Sequence, residues 1–164
     1  MINENFYTVR GYELLQAERG LLTSSMEDYL EMIYRISMQE EYARINQLSK
    51  RLNVRPSSAT KVVQKLGKLN LIDYEKYGVI KLTERGEVIG KYLLGRHEII
   101  QEFLKNLGVE DTLLKETELM EHCISSETLK SMHIFNEFLQ MNQDIKKQYR
   151  SFKSNYLVND KKTK

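Results

Sequence analysis

The apolar positions from residue 24 onward recur every three or four residues, which is the spacing of an amphipathic helix. Ser24 precedes Glu27 by three residues, and this pair is the signature of a capping box. A helix with Ser24 as its N-cap is therefore predicted over the segment SMEDYLEMIYRISMQ. One face of this helix is apolar and carries Met26, Leu30, Ile33 and Ile36.

Two short helices joined by a tight turn are predicted next, INQLSKRL (45–52) and SSATKVVQKLGKLN (57–70). Asn53 falls in the turn, where a residue that tolerates left-handed backbone is needed, and Pro56 suits the first turn of the second helix. Counted from Ile45 as position one, positions four, eight, ten, fifteen and eighteen must be apolar for the two helices to pack. The residues at these positions are Leu48, Leu52, Val54, Ala59 and Val62.

The segment LIDYEKYGVIKLT (71–83) has β-branched and aromatic residues on both sides of Tyr77 and Gly78. This composition predicts a β-hairpin. Two short helices followed by a hairpin are the element order of a winged helix-turn-helix. The first part of the chain is therefore predicted to adopt that fold.

The remainder of the chain has helical periodicity. Thr83 is placed to cap a long helix, and Gly108 is placed to end it at the C′ position. Further helices are predicted around residues 112–123, from Ser126 to Tyr149, and as a short N-terminal helix from Tyr12 to Glu18 that Gly20 stops. The predicted fold is mainly α, with an N-terminal winged helix-turn-helix domain followed by an all-helical domain.

Composition narrows the class of protein. The 164 residues are 41% hydrophobic and 29% charged, which suits a globular chain, and a net charge of +2 means that any basic patch is local. Cys123 is the single cysteine, so an internal disulfide and a Cys-rich zinc site are excluded. The N-terminus has no secretory pattern, and no run of about 18 apolar residues is present. We expect a cytoplasmic protein without a membrane span.

The second helix of the pair carries hydroxyl, amide and basic side chains suited to DNA. Hydroxyls near a helix N-terminus can meet phosphate, Gln64 can read a base in the major groove, and lysines suit phosphates. A solvated amphipathic helix is the alternative, but the turn spacing and the hairpin favour DNA. The predicted DNA-binding residues are Arg55, Ser57, Ser58, Thr60, Lys61, Gln64, Lys65, Lys76 and Tyr77.

The segment ETELMEHC (116–123) places Glu118, Glu121 and His122 on one helical face. Two like charges and an imidazole on one turn repel each other mildly. Either water solvates this cluster or a cation holds it, and the segment alone does not decide between them.

Three other acidic or histidine residues have ordinary explanations of their own. Asp28 and Glu31 share one face of the first helix, but Glu31 also lies four residues before Arg35, as in an exposed ion pair. His97 lies beside an apolar stripe, where a histidine is usually a hydrogen-bonded core residue. The residue types fit metal ligands, and each also fits a structural role.

Enzyme motifs fail at specific positions. HEIIQ has Gln101 where the zinc-protease motif requires a second histidine. GEVIGKY has three residues between its glycines, where a phosphate-binding loop has four, and Tyr92 replaces the Ser or Thr. A dinuclear hydrolase also requires a general base, and no base outside the acidic and histidine set is apparent. We therefore expect no enzyme activity.

Taken together, these motifs resemble the diphtheria toxin repressor family, and within it the manganese transport regulators. The resemblance covers about residues 24–140. It implies a homodimer that binds double-stranded operator DNA when divalent metal is plentiful and represses metal-uptake genes. The matching stretches are SMEDYLEMIY, RPSSATKVVQKL, LIDYEKYG, LTERGEVIGK, RHEIIQEFL and ELMEH.

The resemblance also implies a set of metal ligands. One ion would take Glu31 and His97, and a second would take Asp28 and His122. The carboxylates of Glu118 and Glu121 would bridge both ions. Mn²⁺ is the expected cofactor at two ions per chain, with Fe²⁺, Co²⁺, Zn²⁺ or Cd²⁺ as substitutes. The iron-responsive branch has sulfur ligands at two of these positions, a methionine in place of Asp28 and a cysteine in place of Glu118. The carboxylates of this chain are hard oxygen ligands, which suit Mn²⁺. The implied ligands are Asp28, Glu31, His97, Glu118, Glu121 and His122.

The expected domains are an N-terminal extension (1–23), a winged helix-turn-helix DNA-binding domain (24–83), a helical metal-binding and dimerisation domain (84–158) and a polar tail (159–164). The extension has no counterpart in the manganese regulators. Cys123 is expected to be a small buried residue, and the alternative is an adventitious thiolate ligand for zinc. The expected dimer contacts are Phe135, Phe138, Leu139, Ile145, Tyr149 and Phe152.

The alternative hypothesis keeps the winged helix and replaces the metal. On this view the protein is a regulator that responds to a small organic ligand or to oxidation of the Cys123 thiol. The two hypotheses differ in whether the acidic and histidine residues bind a cation.

Overall fold

The computed structural model describes residues 9–17, 20–75 and 78–160. The chain forms two compact units, Met1–Gly95 and Arg96–Lys164, and the division falls within one long helix. Among the described residues, no helix has an apolar stretch long enough to cross a bilayer. The elements are α1 (Val9–Ala17), α2 (Ser24–Ser37), β1 (Ala43–Arg44), α3 (Ile45–Arg51), α4 (Pro56–Lys68), β2 (Ile72–Tyr74), β3 (Val79–Leu82), α5 (Glu84–Asn106), α6 (Leu113–Glu121), α7 (Ser126–Met141) and α8 (Gln143–Asp160).

The predicted fold class is confirmed, and the first unit contains the helix-turn-helix in α3 and α4. Asn53 in the turn has φ 53°, the left-handed conformation that the sequence predicted. The turn closes with the Val54 amide donating to the Ser49 carbonyl at 2.9 Å. Pro56 begins α4 as predicted. The core of the pair is fully buried at Leu48, Ala59, Val63 and Leu66, while Leu52, Val54 and Val62 are half-buried.

The predicted hairpin is present as β2 and β3, which pair antiparallel with Ile72 opposite Leu82. A third strand, β1, pairs with the other edge of β3 through Ala43 and Ile80, so the strand order is β1-β3-β2. Strand β1 was not predicted, because a two-residue strand has no alternation to detect. Strand β3 is consequently the central strand of the sheet.

The N-terminal ends of α2 and α5 are set by local hydrogen bonds, and the predicted cap of α2 is corrected by one residue. The N-cap of α2 is Thr23 and not Ser24, because the Thr23 hydroxyl accepts from the Met26 amide at 3.3 Å. The Thr23-Met26 bond shifts the cap by one residue from the capping-box prediction. The Thr83 cap of α5 is confirmed, with its hydroxyl accepting from the Gly86 amide at 3.0 Å.

The predicted end of α5 at Gly108 is also confirmed. Gly108 has φ 74°, its amide donates to the Lys105 carbonyl at 3.0 Å, and the Val109 amide donates to the Leu104 carbonyl at 3.0 Å. These two bonds are a Schellman motif. Lys153 adds to this end from α8, because its Nζ donates to the carbonyls of Leu107 at 2.6 Å and Gly108 at 2.8 Å.

The single helix predicted from Ser126 to Tyr149 is wrong, because α7 and α8 are separate. Asn142 divides them with the non-helical angles φ −122° and ψ 68°. Its side-chain amide donates to the Phe138 carbonyl at 2.7 Å, so the side chain competes for the last turn of α7. Helix α8 then continues to Asp160, into the segment expected to be a polar tail.

The second unit leaves an apolar surface exposed on α7 and α8. Leu139 is buried within the unit at 3% exposure, which corrects its expected role as a dimer contact. The other five residues of that expectation remain exposed: Phe135, Phe138, Ile145, Tyr149 and Phe152.

The expected N-terminal helix is observed as α1. Leu15 is buried, and the Tyr12 ring lies 6.1 Å from the Tyr92 ring, centroid to centroid. Helix α1 therefore packs within the first unit. The predicted end at Glu18 lies outside the described residues.

Gly86→Ala is expected to lower the free energy of unfolding by about 1–3 kcal/mol, because an added methyl group overlaps the Leu71 carbonyl oxygen. Gly67→Ala is the control, since its methyl group would lie 3.8 Å from the Ile72 carbonyl oxygen. The control is expected to stabilise α4 by up to about 1 kcal/mol. Urea unfolding followed by circular dichroism measures both. Wild-type stability in Gly86→Ala would contradict the close approach of α5 to Leu71.

Candidate metal centre

Glu121 lies between two imidazoles in the second unit. Its Oε2 is 3.1 Å from Nδ1 of His97, and its Oε1 is 3.9 Å from Nε2 of His122. Glu121 is 3% exposed and His97 is 8% exposed. A buried carboxylate requires a partner of opposite charge or a hydrogen-bond donor, and the contact within hydrogen-bond distance here is the one to His97.

The inward face of α6 explains why Glu121 is buried. Thr117 precedes it by one helical turn, is fully buried, and donates its hydroxyl to the Leu113 carbonyl at 2.8 Å. Residues four apart share a helical face, so Glu121 points the same way as Thr117. Glu118 directly follows Thr117, so it points away from the face that Thr117 and Glu121 share, and it is exposed. The structure therefore brings His97, Glu121 and His122 together, and it places Glu118 on the exposed side of α6.

Asp28 and Glu31 lie one turn apart on α2 in the first unit. Asp28 is half-buried, whereas Glu31 is 8% exposed. Oε1 of Glu31 accepts two hydrogen bonds from Arg35, at 2.9 Å from Nε and 2.7 Å from Nη2. The ion pair suggested by the sequence is therefore present. Its carboxylate is buried, however, and so the pair differs from an ordinary exposed surface pair.

The donor chemistry of these residues fits a divalent cation. Carboxylate oxygens and imidazole nitrogens are the ligands that Mn²⁺, Fe²⁺ and Zn²⁺ accept, and no thiolate is needed. The buried carboxylate of Glu121 adds the negative charge that a cation would offset.

Cys123 is exposed, which corrects the expectation that it is buried. It follows His122, the C-cap residue of α6, and lies in the turn to α7, where its amide donates to the Met120 carbonyl at 3.0 Å. Helix α6 ends at Glu121, so the position of Cys123 is set by this turn and not by the inward face of the helix.

The predicted DNA-binding residues that the structure describes lie on or just before α4. Arg55 is the N-cap residue of this helix and makes no side-chain capping bond. The Thr60 hydroxyl donates to the Pro56 carbonyl at 2.9 Å. Lys76 and Tyr77 lie outside the described residues. The exposed members of the set are Arg55, Ser57, Ser58, Lys61, Gln64 and Lys65.

Arg44 is an exposed cation in the same unit and was not among the predicted DNA-binding residues. It lies on β1 with its guanidinium 5.1 Å from the centroid of the Tyr42 ring. A two-residue strand carries no periodic signal, so the sequence offered no reason to single out this arginine.

Two family models match consecutive parts of the chain. Residues 21–80 match the iron dependent repressor, N-terminal DNA binding domain, and residues 83–150 match the iron dependent repressor, metal binding and dimerisation domain. Together the two matches cover well over half of the chain.

Curated relatives agree with the family models. The HTH-type transcriptional regulator MntR of Shouchella clausii is 43% identical over 122 residues, which are 74% of this chain and 85% of the relative. The regulator of the same name from Bacillus subtilis is 38% identical over 132 residues, which are 80% of this chain and 93% of the relative.

Solved structures agree as well. The manganese regulator SloR aligns with a TM-score of 0.62 and 28% identity, over 69% of this chain and 54% of that chain. A manganese-dependent transcriptional repressor in complex with manganese aligns with a TM-score of 0.62 and 27% identity, over 69% and 53% of the two chains. The match thus spans about half the length of these two structures. The chain belongs to the iron-dependent, or diphtheria toxin, repressor family of metal-dependent transcriptional regulators, in the branch of the MntR regulators.

Proposed function

We propose that this protein is a manganese-responsive transcriptional repressor that binds operator DNA as a homodimer and controls metal-uptake genes. The observation that carries the proposal is the buried Glu121 carboxylate facing His97 and His122, within the region that matches the metal-binding and dimerisation domain. The relatives with manganese in their descriptions support the choice of metal.

The proposed ligands are the six residues implied by the resemblance. Four are carboxylates, and their four negative charges equal the four positive charges of two divalent ions. We propose two Mn²⁺ ions per chain, with Fe²⁺, Co²⁺, Zn²⁺ and Cd²⁺ able to substitute. The set is Asp28, Glu31, His97, Glu118, Glu121 and His122.

The proposed mechanism depends on repulsion among these carboxylates. When bound, the cations supply the positive charge that offsets the repulsion. Bound ions would hold the ligands of α2 together with those of α5 and α6, and the two α4 helices of the dimer would then lie about one turn of DNA apart. The DNA-competent arrangement has the higher affinity for cations, so by linkage operator DNA raises that affinity further.

The proposed domains are the winged helix-turn-helix (24–83) and the helical metal-binding and dimerisation domain (84–158), with 1–23 as an extension. The exposed apolar side chains of α7 and α8 support a dimer, because surfaces of this kind are usually covered by a partner. The protein would act on chromosomal DNA, so we propose the cytoplasm as its location.

Two alternatives are less well supported. A winged-helix regulator that responds to an organic ligand or to Cys123 oxidation is not favoured, because the chain matches a metal-binding domain over residues 83–150. A dinuclear hydrolase is not favoured either, since the family consists of transcriptional regulators. We propose that the protein has no enzyme activity.

Metal binding is tested by calorimetric titration of the metal-stripped protein with Mn²⁺. We expect about two ions per chain, and Glu121→Gln should weaken binding at least tenfold, about 1.4 kcal/mol, because a neutral amide replaces a buried anionic ligand. Glu137→Gln, which changes an exposed acid of α7, is the control and should bind as wild type. A stoichiometry of one ion would mean that half of the ligand assignment is wrong, and no binding by a folded protein would contradict the proposal.

The switch is tested with DNA duplexes selected from a random library by the Mn²⁺-loaded protein. Fluorescence anisotropy should show that Mn²⁺ tightens binding of wild type, whereas Glu121→Gln remains dimeric and shows no stimulation. The physical reason is that the cation can favour the DNA-competent form only through ligands that distinguish the two forms. Equal stimulation of the variant would count against a metal switch built on Glu121.

The role of α4 is tested on the same duplexes. Gln64→Ala should weaken the free energy of DNA binding by about 1–3 kcal/mol and relax the preference at one base pair, because the Gln64 amide is placed to read a base edge. Lys61→Ala should weaken binding to all sequences and reduce the salt slope by about one. Lys130→Ala, an exposed lysine of α7, is the control. An unchanged base preference in Gln64→Ala would assign base recognition to other residues.

A further inference from the structure

Glu31, the buried member of the Glu31–Arg35 ion pair, is one of the proposed metal ligands. We propose that Arg35 competes with the divalent cation for the Glu31 carboxylate and thereby raises the metal concentration at which the protein responds. This inference rests on the proposed function, since it requires Glu31 to be a ligand. It assigns to Arg35 a role as a residue that tunes metal affinity.

The contact concentrates two donors on one acceptor atom. Nε and Nη2 of Arg35 both donate to Oε1 of Glu31, at 2.9 Å and 2.7 Å. Hydrogen bonds between a guanidinium and a carboxylate are charge-assisted and are among the stronger ones in proteins. A cation that binds through Oε1 must displace at least part of this interaction.

Binding through the other oxygen of Glu31 does not remove the competition. The guanidinium charge would then face the cation across a single carboxyl group. The Glu31 side chain is 10% exposed and that of Arg35 is 33% exposed, so solvent screens the repulsion only in part. The guanidinium is a planar cation held beside the carboxylate, so it opposes any second cation bound there.

Arg35 could also assist metal binding by holding Glu31 in one rotamer. Immobilising one side chain is the smaller effect, because the repulsion acts on a doubly charged ion in a partly buried setting. Arg35 lies in the last turn of α2, where the helix dipole also favours a cation. The arginine is therefore retained beside Glu31 by the helix as well as by the carboxylate.

The experiment is calorimetric titration of the full-length, metal-stripped protein with Mn²⁺. Arg35→Met removes the charge and keeps an unbranched, helix-favouring stem, and it should bind Mn²⁺ at least about tenfold more tightly than wild type. Arg35→Lys keeps the charge and should stay within about threefold of wild type. Arg35→Gln, also uncharged, should follow Arg35→Met and covers the case in which methionine disturbs folding.

A double-mutant cycle locates the effect at the carboxylate. In a Glu31→Gln background, Arg35→Met should change the Mn²⁺ affinity much less than it does in wild type, since the acid that joins the two charges is gone. The thermal midpoint of the metal-stripped protein gives an independent readout. It should fall in Arg35→Met, which leaves the Glu31 carboxylate without its guanidinium, and Mn²⁺ should restore it.

Unchanged or weaker Mn²⁺ binding by both uncharged variants overturns the inference, because Arg35 would then be neutral or would position Glu31. Equal tightening in Arg35→Lys and Arg35→Met overturns it too, because the charge would not be the opposing element. These results leave the proposed function standing as long as wild type binds Mn²⁺ and responds on DNA. Failure of wild type to bind Mn²⁺ would instead overturn the proposed function itself.

Discussion

The burial of one carboxylate, that of Glu121, is the constraint around which the second unit is organised. A carboxylate at 3% exposure requires a polar partner, and Nδ1 of His97 supplies one at 3.1 Å from Oε2, while Nε2 of His122 lies 3.9 Å from Oε1. The chain leaves α5 at the Schellman end at Gly108 and returns in α6, whose inward face carries Glu121.

The first unit is built on different requirements. Its helix-turn-helix depends on backbone conformations that few residues adopt, such as the left-handed Asn53, and on close packing at Gly86 against Leu71. These features fix the orientation of α4, whose exposed side chains are hydroxyls, an amide and lysines. The chain has a net charge of only +2, so attraction to DNA must come from this local surface and not from the whole protein.

The ion pair between Glu31 and Arg35 shows how one contact can have two meanings. As a sequence pattern, an acid four residues before a base is an ordinary helical pair that contributes a few tenths of a kcal/mol. In the structure the acid is buried and both guanidinium donors converge on one oxygen. Burial raises the strength of the interaction, and it makes the same atom a point of competition for any cation that binds there.

Local patterns in the sequence determined the elements of this fold and the family to which it belongs. The turn at Asn53, the cap at Thr83 and the end of α5 at Gly108 depend on hydrogen bonds between residues close in the chain, so their spacing is visible in the sequence. For the same reason the motifs of the helix-turn-helix and of ELMEH were sufficient to suggest a metal-dependent repressor.

Tertiary structure decided which of the candidate residues are buried. Glu118 and Glu121 look equivalent in the sequence, yet only Glu121 turns inward and contacts His97, which is 24 residues away in the chain. Contacts over that separation have no fixed spacing, so no local pattern reports them. The exposure of Cys123 has the same cause, since burial depends on what packs against a residue, and that is set by the whole unit and not by its neighbours in sequence.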